Sequence, residues 1–406
     1  MKVVNIALLG HKDHGKSTLI GNLLIKTGAA TQVRMKEAEH YSKKLHKQFE
    51  PAFILDSFSE EREGGMTYDT TRGEIKYKDI AFALIDVPGH EELIKNMISG
   101  TSYGEIALLL VSAKKSEGIN DQTKRHLFIA KMMGIDYLVV AVNKMDTVGY
   151  LREPFESIKE ELMDFITKIG FDRSNVSFVP VSAYIGDNLV KRSGNMRWYR
   201  GRHLLELLYE NSKHKGAKDD GALRITLQGL LNDRKDLVAG RIVRGHIKVG
   251  EKGTCIVPLN VNVSVKGIIV KGKRVKSARV GESVALELDK EVNKDPRGAI
   301  ICGESYCPIA RARINARIFV TGRLNGRLSI RFNGMEVECS SIKMASQIDT
   351  TTGEPIGNKR VKALNAIDAE LELVKKIPAE SFAETRELGR FVLYSGKEFA
   401  GIGIVK

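Results

Sequence analysis

Gly10-His11-Lys12-Asp13-His14-Gly15-Lys16-Ser17 follows an apolar run from Val3 to Leu9 that has the length and composition of a buried strand. Two glycines, a lysine and a hydroxyl residue at this spacing, between a strand and a helix, form a phosphate-binding loop. The glycines let the backbone turn around phosphate oxygens, Lys16 supplies a charge to the outer phosphates, and the Ser17 hydroxyl is a ligand for magnesium. His11, Lys12, Asp13, His14 and Gly15 complete the expected phosphate cradle. The chain is therefore read first as a nucleoside triphosphatase.

The choice of base rests on Asn143-Lys144-Met145-Asp146, which ends a second apolar strand, Tyr137 to Val142. A carboxylate accepts two donors from guanine, the ring N–H and the exocyclic amine, and adenine offers no such pair on that edge. Asp146 thus points to GTP and GDP. Asn143 can address the opposite edge, and the aliphatic stem of Lys144 can lie over the ring face. Ser182-Ala183, after the strand-like Val176 to Val181, can add a backbone contact to the base.

Between these motifs lie groups suited to sensing the third phosphate. Asp86-Val87-Pro88-Gly89-His90 ends the run Ile80 to Ile85. Asp86 can hold magnesium through water, and the Gly89 N–H can bond the terminal phosphate and be released after hydrolysis. Thr67, in the charged stretch Glu61 to Thr67, is expected as a second magnesium ligand. With these motifs in order, and with Gly186-Asp187-Asn188, Met196-Arg197-Trp198-Tyr199-Arg200-Gly201 and Leu388-Gly389-Arg390-Phe391 behind them, the chain resembles the translational GTPases along its whole length. Within that family it is similar to the branch of archaeal and eukaryotic elongation factor one-alpha and the GTPase subunit of bacterial ATP sulfurylase. The resemblance implies that His90 orients the attacking water, where positioning matters more than basicity. It also implies hydrolysis stimulated by a partner, which in the family is the ribosome.

Two departures are visible. Lys12 stands where the relatives usually have an apolar residue, placing a flexible cation beside the third phosphate. Gly64-Gly65 replaces a bulkier basic residue and one glycine, which lowers the order of that loop.

The chain has 406 residues, enough for two or three domains with large cores. Its four cysteines, Cys255, Cys302, Cys307 and Cys339, show no paired metal spacing and read as small core or surface residues. No apolar run reaches membrane-spanning length, the phosphate loop follows closely on Met1, and a cytoplasmic setting is expected. Strands alternate with helix-period segments such as Gln122 to Met133 and Glu153 to Ile169, which predicts an α/β domain over 1–210 with a mostly parallel sheet and helices on both faces. A polar linker over 211–221 follows. Short runs separated by Gly, Lys or Asp, such as Ser283 to Leu288 and Gly401 to Val405, then predict closed antiparallel β-barrels, with the resemblance implying two, over 222–308 and 309–406.

Charge is uneven. Residues 221–331 carry 22 basic against 9 acidic residues, so nearly all of the net charge of +14 sits there. Its densest parts are Lys266, Lys271, Lys273, Arg274, Lys276 and Arg279, then Arg311, Arg313, Arg317, Arg323, Arg327 and Arg331. Such a surface attracts a polyanion, here tRNA or ribosomal RNA. The leading expectation is an elongation-factor-like switch whose GTP form binds tRNA or a ribosomal partner, with a guanine-nucleotide exchange factor as a further partner. His14 and the charged insertion from Arg34 to Lys47 favour it by resemblance. The alternative is a regulatory GTPase that drives sulfate activation by a separate adenylyltransferase subunit. Gln122 to His126, Gly281 to Val284, Ile348 to Glu354 and Leu364 to Glu370 are closer to that subunit.

Overall fold

Apolar runs bounded by polar loops form the strands of a six-stranded sheet: β1 (Lys2–Leu9), β2 (Arg72–Tyr77), β3 (Ile80–Asp86), β4 (Ile106–Ser112), β5 (Tyr137–Asn143) and β6 (Val176–Pro180). The computed structural model describes residues 2–44, 49–55, 72–86, 106–213, 222–232, 234–251, 254–303, 307–357 and 360–406, without the side chains of Arg72 and Asp86. The strand order is β2-β3-β1-β4-β5-β6, and every pairing is parallel except β2 with β3. All seven residues of β4 are buried. Ile106, Leu108 and Leu110 join one core cluster, while the alternate Ala107, Leu109 and Val111 are equally buried outside it, as a strand covered on both faces requires.

The covering helices are α1 (Lys16–Lys26), α2 (Gln32–Lys44), α3 (Asp121–Met132), α4 (Arg152–Lys168) and α5 (Leu204–Lys213). α1 and α5 pack Leu19, Ile20, Leu23, Leu204 and Leu208 into the first cluster. Each such side chain contributes about 1.5–3 kcal/mol by leaving water. α3 starts on a capped turn, where the Asn120 side chain accepts from the Thr123 N–H at 2.9 Å, and Asp121 and Lys131 suit the two ends of its dipole. α4 places Phe155, Ile158, Leu162, Phe165 and Ile166 on one buried stripe. The charged insertion contains a helix, α2, that buries Ala38 and Ser42. α5 continues to Lys213, three residues into the span expected to be linker.

The chain divides into two compact units, Met1–His214 with Thr350–Gly353, and Lys215–Asp349 with Glu354–Lys406. In the second unit all strand pairing is antiparallel. Its first part holds β7 (Arg224–Leu231), β8 (Arg234–Arg244), β9 (His246–Lys248), β10 (Thr254–Val257), β11 (Val261–Val263), β12 (Val265–Val270), β13 (Lys273–Val275), β14 (Ser277–Arg279), β15 (Ser283–Leu288) and β16 (Ile300–Gly303). Its second part holds β17 (Arg311–Val320), β18 (Leu328–Phe332), β19 (Met335–Ile348), β20 (Pro355–Ile356), β21 (Ala366–Ile377), β22 (Arg390–Ser395) and β23 (Glu398–Val405).

The two parts differ from the expectation of two closed barrels. In the first, the ladder β11-β10-β16-β7-β8-β15-β12-β13 has two ends among the described residues, with β9 and β14 as a separate ribbon, so it is a half-barrel. In the second, β18 pairs with both β22 and β19 and closes β18-β22-β23-β17-β21-β19 into a six-stranded barrel. β9 and β14 bond to each other and not to the ladder's ends, so no described pairing closes it.

A buried ion pair joins the two parts: Arg224 of β7 donates through Nε at 2.8 Å and a terminal nitrogen at 2.5 Å to one oxygen of Glu380. The reading of the cysteines needs correction, because Cys302 and Cys307 form a disulfide. Cys302 lies within β16 and its Cα lies 5.4 Å from that of Cys307, within bridging range, a proximity that five residues of spacing do not reveal. Cys339 is buried in the closed barrel, and burial pushes its thiol up to about 11.

Candidate nucleotide site

Parallel pairing brings the carboxyl ends of β1, β4, β5 and β6 to one edge, with Leu9 opposite Leu109, Ser112 opposite Asn143 and Val142 opposite Pro180. The loops that leave this edge enclose a cleft of about 1010 Å³. Such a crevice is where ligands bind in open α/β sheets.

The phosphate loop turns through positive φ at Gly10, Asp13 and Gly15. A Cβ on Gly10 would meet the Leu110 carbonyl oxygen at 2.6 Å, and one on Gly15 would meet Asn143 Nδ2 at 2.5 Å, so glycine is required at both. α1 opens without a side-chain cap and without an acid in its first turn, which leaves its positive end for an anion. Lys16 Nζ donates to the carbonyls of Gly10 at 3.0 Å and His11 at 3.1 Å, folding the loop around its own lysine. His11, Lys12, Asp13, Gly15 and Ser17 also line the cleft. His14 does not: its buried ring lies between the carbonyl oxygens of Leu110 (Nδ1, 3.1 Å) and Glu117 (Nε2, 2.8 Å), and burial draws its pKa down. It anchors the loop, with its backbone N–H on the His11 carbonyl at 3.3 Å and its own carbonyl held from the base side.

On the base side, Asn143 is buried and bridges the halves of the site. Its Nδ2 donates to the His14 carbonyl at 2.8 Å, and its Oδ1 accepts from the Ala183 N–H at 2.8 Å. Asn143 thus ties the two loops together, and it also lines the cleft, with one of its two Nδ2 hydrogens not used by the His14 contact. Lys144 and Asp146 line the cleft, as does Ala183, while the Ser182 side chain is buried behind it. No described residue donates to the Asp146 carboxylate, which lines the cleft. Asp187 accepts from the Tyr150 hydroxyl at 2.9 Å, Ser193 Oγ at 2.7 Å and Asn195 Nδ2 at 3.2 Å, and Trp198 Nε1 donates to the Tyr150 carbonyl at 2.8 Å. The Gly-Asp-Asn and Met-Arg-Trp-Tyr stretches therefore brace the turn that carries Asp146.

Sequence reasoning overlooked Lys114, Glu117 and Tyr184. Lys114 and Tyr184 line the cleft, and Glu117 receives the Lys144 ammonium at 2.5 Å. That hydrogen bond draws the Glu117 carboxyl down to about 2. Their position just past β4 and β6 was the available signal. Thr67, Gly89 and His90 lie outside the described residues, and of Asp86 only the backbone is described, at the end of β3 opposite Leu8.

A phosphate loop, a carboxylate left without a described partner at the cleft and a parallel sheet that levels them define a nucleotide-binding domain. Residues 1–214 match the family model of the elongation factor Tu GTP binding domain, and residues 324–406 match that of the GTP-eEF1A C-terminal domain-like family. Elongation factor 1-alpha of Pyrobaculum calidifontis is 34% identical over 407 residues, covering 96% of this chain and 91% of the relative. That of Aeropyrum pernix is 33% identical over 420 residues, covering 99% and 96%. A solved structure of sup35 complexed with GDP aligns over 100% of this chain and 93% of its own, at 24% identity and a TM-score of 0.43. The chain belongs to the translational GTPase family of elongation factors Tu and 1-alpha, and is a GTPase of that family.

Proposed function

We propose that this elongation-factor-1-alpha-like GTPase is a cytoplasmic switch whose GTP form holds tRNA or a ribosomal partner through its half-barrel. One observation carries the reading. Lys271, Lys273, Lys276 and Arg279 are exposed on and beside β13 and β14, and none of their side chains has a carboxylate partner among the described residues. By contrast Arg313, Arg317, Arg327 and Arg331 of the closed barrel are paired across strands with Glu370 and Glu372, Asp368, Glu338 and Glu336. Those pairs neutralise four of the six arginines from Arg311 to Arg331. What remains suits a phosphate backbone.

For hydrolysis, the Ser17 hydroxyl is exposed in the cleft with no described hydrogen-bond partner, and with Thr67 and Asp86 it would form an oxygen donor set suited to magnesium. The ion would neutralise charge on the outer phosphates. His90 would orient the attacking water, Gly89 would bond the third phosphate, and Lys12, exposed at the cleft, would supply positive charge beside it. An exchange factor would then replace GDP. The test is what co-purifies with the protein held in a non-hydrolysable GTP analogue. RNA or ribosomes support the reading; an adenylyltransferase subunit replaces it with the sulfate-activating role.

A further inference from the structure

We propose that Glu117 is a positioning residue for the guanine base, holding the Lys144 ammonium so that the lysine stem is fixed as a wall of the base pocket. Glu117 belongs to none of the motifs from which the site was read. It lies in the loop after β4, 27 residues before its partner, and approaches the site from a different strand end.

Three observations converge on it. The first is the contact: Lys144 Nζ meets Glu117 Oε2 at 2.5 Å, with the side chains only 22% and 30% exposed, so the pair is shielded more than a surface ion pair. Hydrogen bonding to Lys144 keeps the carboxyl ionised far below neutral pH. The second is the backbone of Lys144, which sits in the left-handed region at φ 64 between Asn143 and the turn carrying Asp146. A non-glycine residue stays there only when its surroundings hold it. With the backbone fixed at one end and the ammonium at the other, the methylene stem has little freedom left. The third is that the Glu117 carbonyl accepts from the buried His14 ring at 2.8 Å. One residue therefore grips the phosphate loop by its backbone and the base loop by its side chain.

An ordered stem presents a preformed apolar surface to the ring, so the cost of immobilising a lysine is met before the nucleotide arrives. Removing the carboxylate frees the stem and should speed the release of nucleotide. Glu117→Gln keeps the shape and the His14 contact while removing the charge.

Stopped-flow release of a fluorescent GDP analogue from Glu117→Gln, Lys144→Met and the double variant tests this. Release from Glu117→Gln should be about tenfold faster than from the parent, and Lys144→Met at least as fast. The double variant should release no faster than Lys144→Met alone, because the carboxylate acts through the lysine. Glu117→Asp should recover part of the slow release. If Glu117 only braced its own loop, the two effects would multiply in the double variant, and that result overturns the proposal, as does a Glu117→Gln variant indistinguishable from the parent. Should Glu117→Gln fail to fold, the same cycle is read with Glu117→Ala in its place.

Discussion

The nucleotide cleft and the closed barrel are both rich in charged side chains, yet they use them in opposite ways. Around the cleft, Asp146, Ser17 and Lys12 reach the surface without a described partner, while Asn143, His14 and Glu117 are committed to holding them in place. On the closed barrel the order is reversed: Arg317 is gripped by Asp368 at 2.8 Å and 3.0 Å, and Arg327 by Glu338. Charge count therefore does not locate a binding face; charge left without an intramolecular partner does, because its solvation can be exchanged for a ligand. By this measure the half-barrel, with Lys271, Lys273, Lys276 and Arg279, sides with the cleft.

The sharpest way to break this comparison is at Asp146. Replacing it by Asn removes the acceptor for both guanine donors, and affinity for GTP and GDP should fall on the order of a thousandfold, given about 1.5–3 kcal/mol for each charged hydrogen bond. Calorimetry with guanine and adenine nucleotides reads it. Preserved guanine preference would mean that the carboxylate is not the reader.

Partnered charges predict the opposite kind of damage. Arg224→Ala leaves Glu380 buried without its cation and should destabilise the barrel unit by about 3–5 kcal/mol, seen in denaturant melts. Replacing both residues by leucine should restore most of that stability. An Arg224→Ala protein as stable as the parent would show that the pair does not hold the two parts together.

A smaller effect is expected on the half-barrel. Changing Lys271, Lys273 and Lys276 together to Ala should make the log-log salt dependence of RNA binding shallower by about 0.7–0.9 for each phosphate no longer neutralised, without altering GTP affinity. Arg274 is a poorer choice, since Glu287 already holds it at 2.8 Å. Smallest of all should be the effect of Arg313→Ala with Arg327→Ala on RNA binding, because both cations are neutralised in place. A drop equal to that of the lysines would erase the distinction between the two barrels.

These regions also differ in how much could be read in advance. Val3 to Leu9, Ile80 to Ile85 and Tyr137 to Val142 lie inside β1, β3 and β5, and Gln122 to Met133 matches α3 to within a residue at each end, because a covered parallel sheet imposes continuous apolar runs and long periodic helices. The phosphate and base motifs stood at strand ends, where spacing alone defines them. Closure of a barrel depends instead on which distant strands pair, as β18 does with both β22 and β19, and no local pattern encodes that. The pairing of Arg317 with Asp368 and of Lys144 with Glu117 was hidden for the same reason: the partners are 51 and 27 residues apart. Gly186-Asp187-Asn188 was legible as a motif, but its work of bracing Tyr150 was not.

The central claim is that a nucleotide-controlled GTPase presents unpartnered half-barrel cations to RNA. Filter retention of tRNA across a salt series, with a GTP analogue and with GDP, measures it most directly. The account predicts binding in the GTP state at low salt, weaker binding with GDP, and a steep fall in affinity as salt rises. Absence of tRNA binding in both nucleotide states at low salt would contradict it.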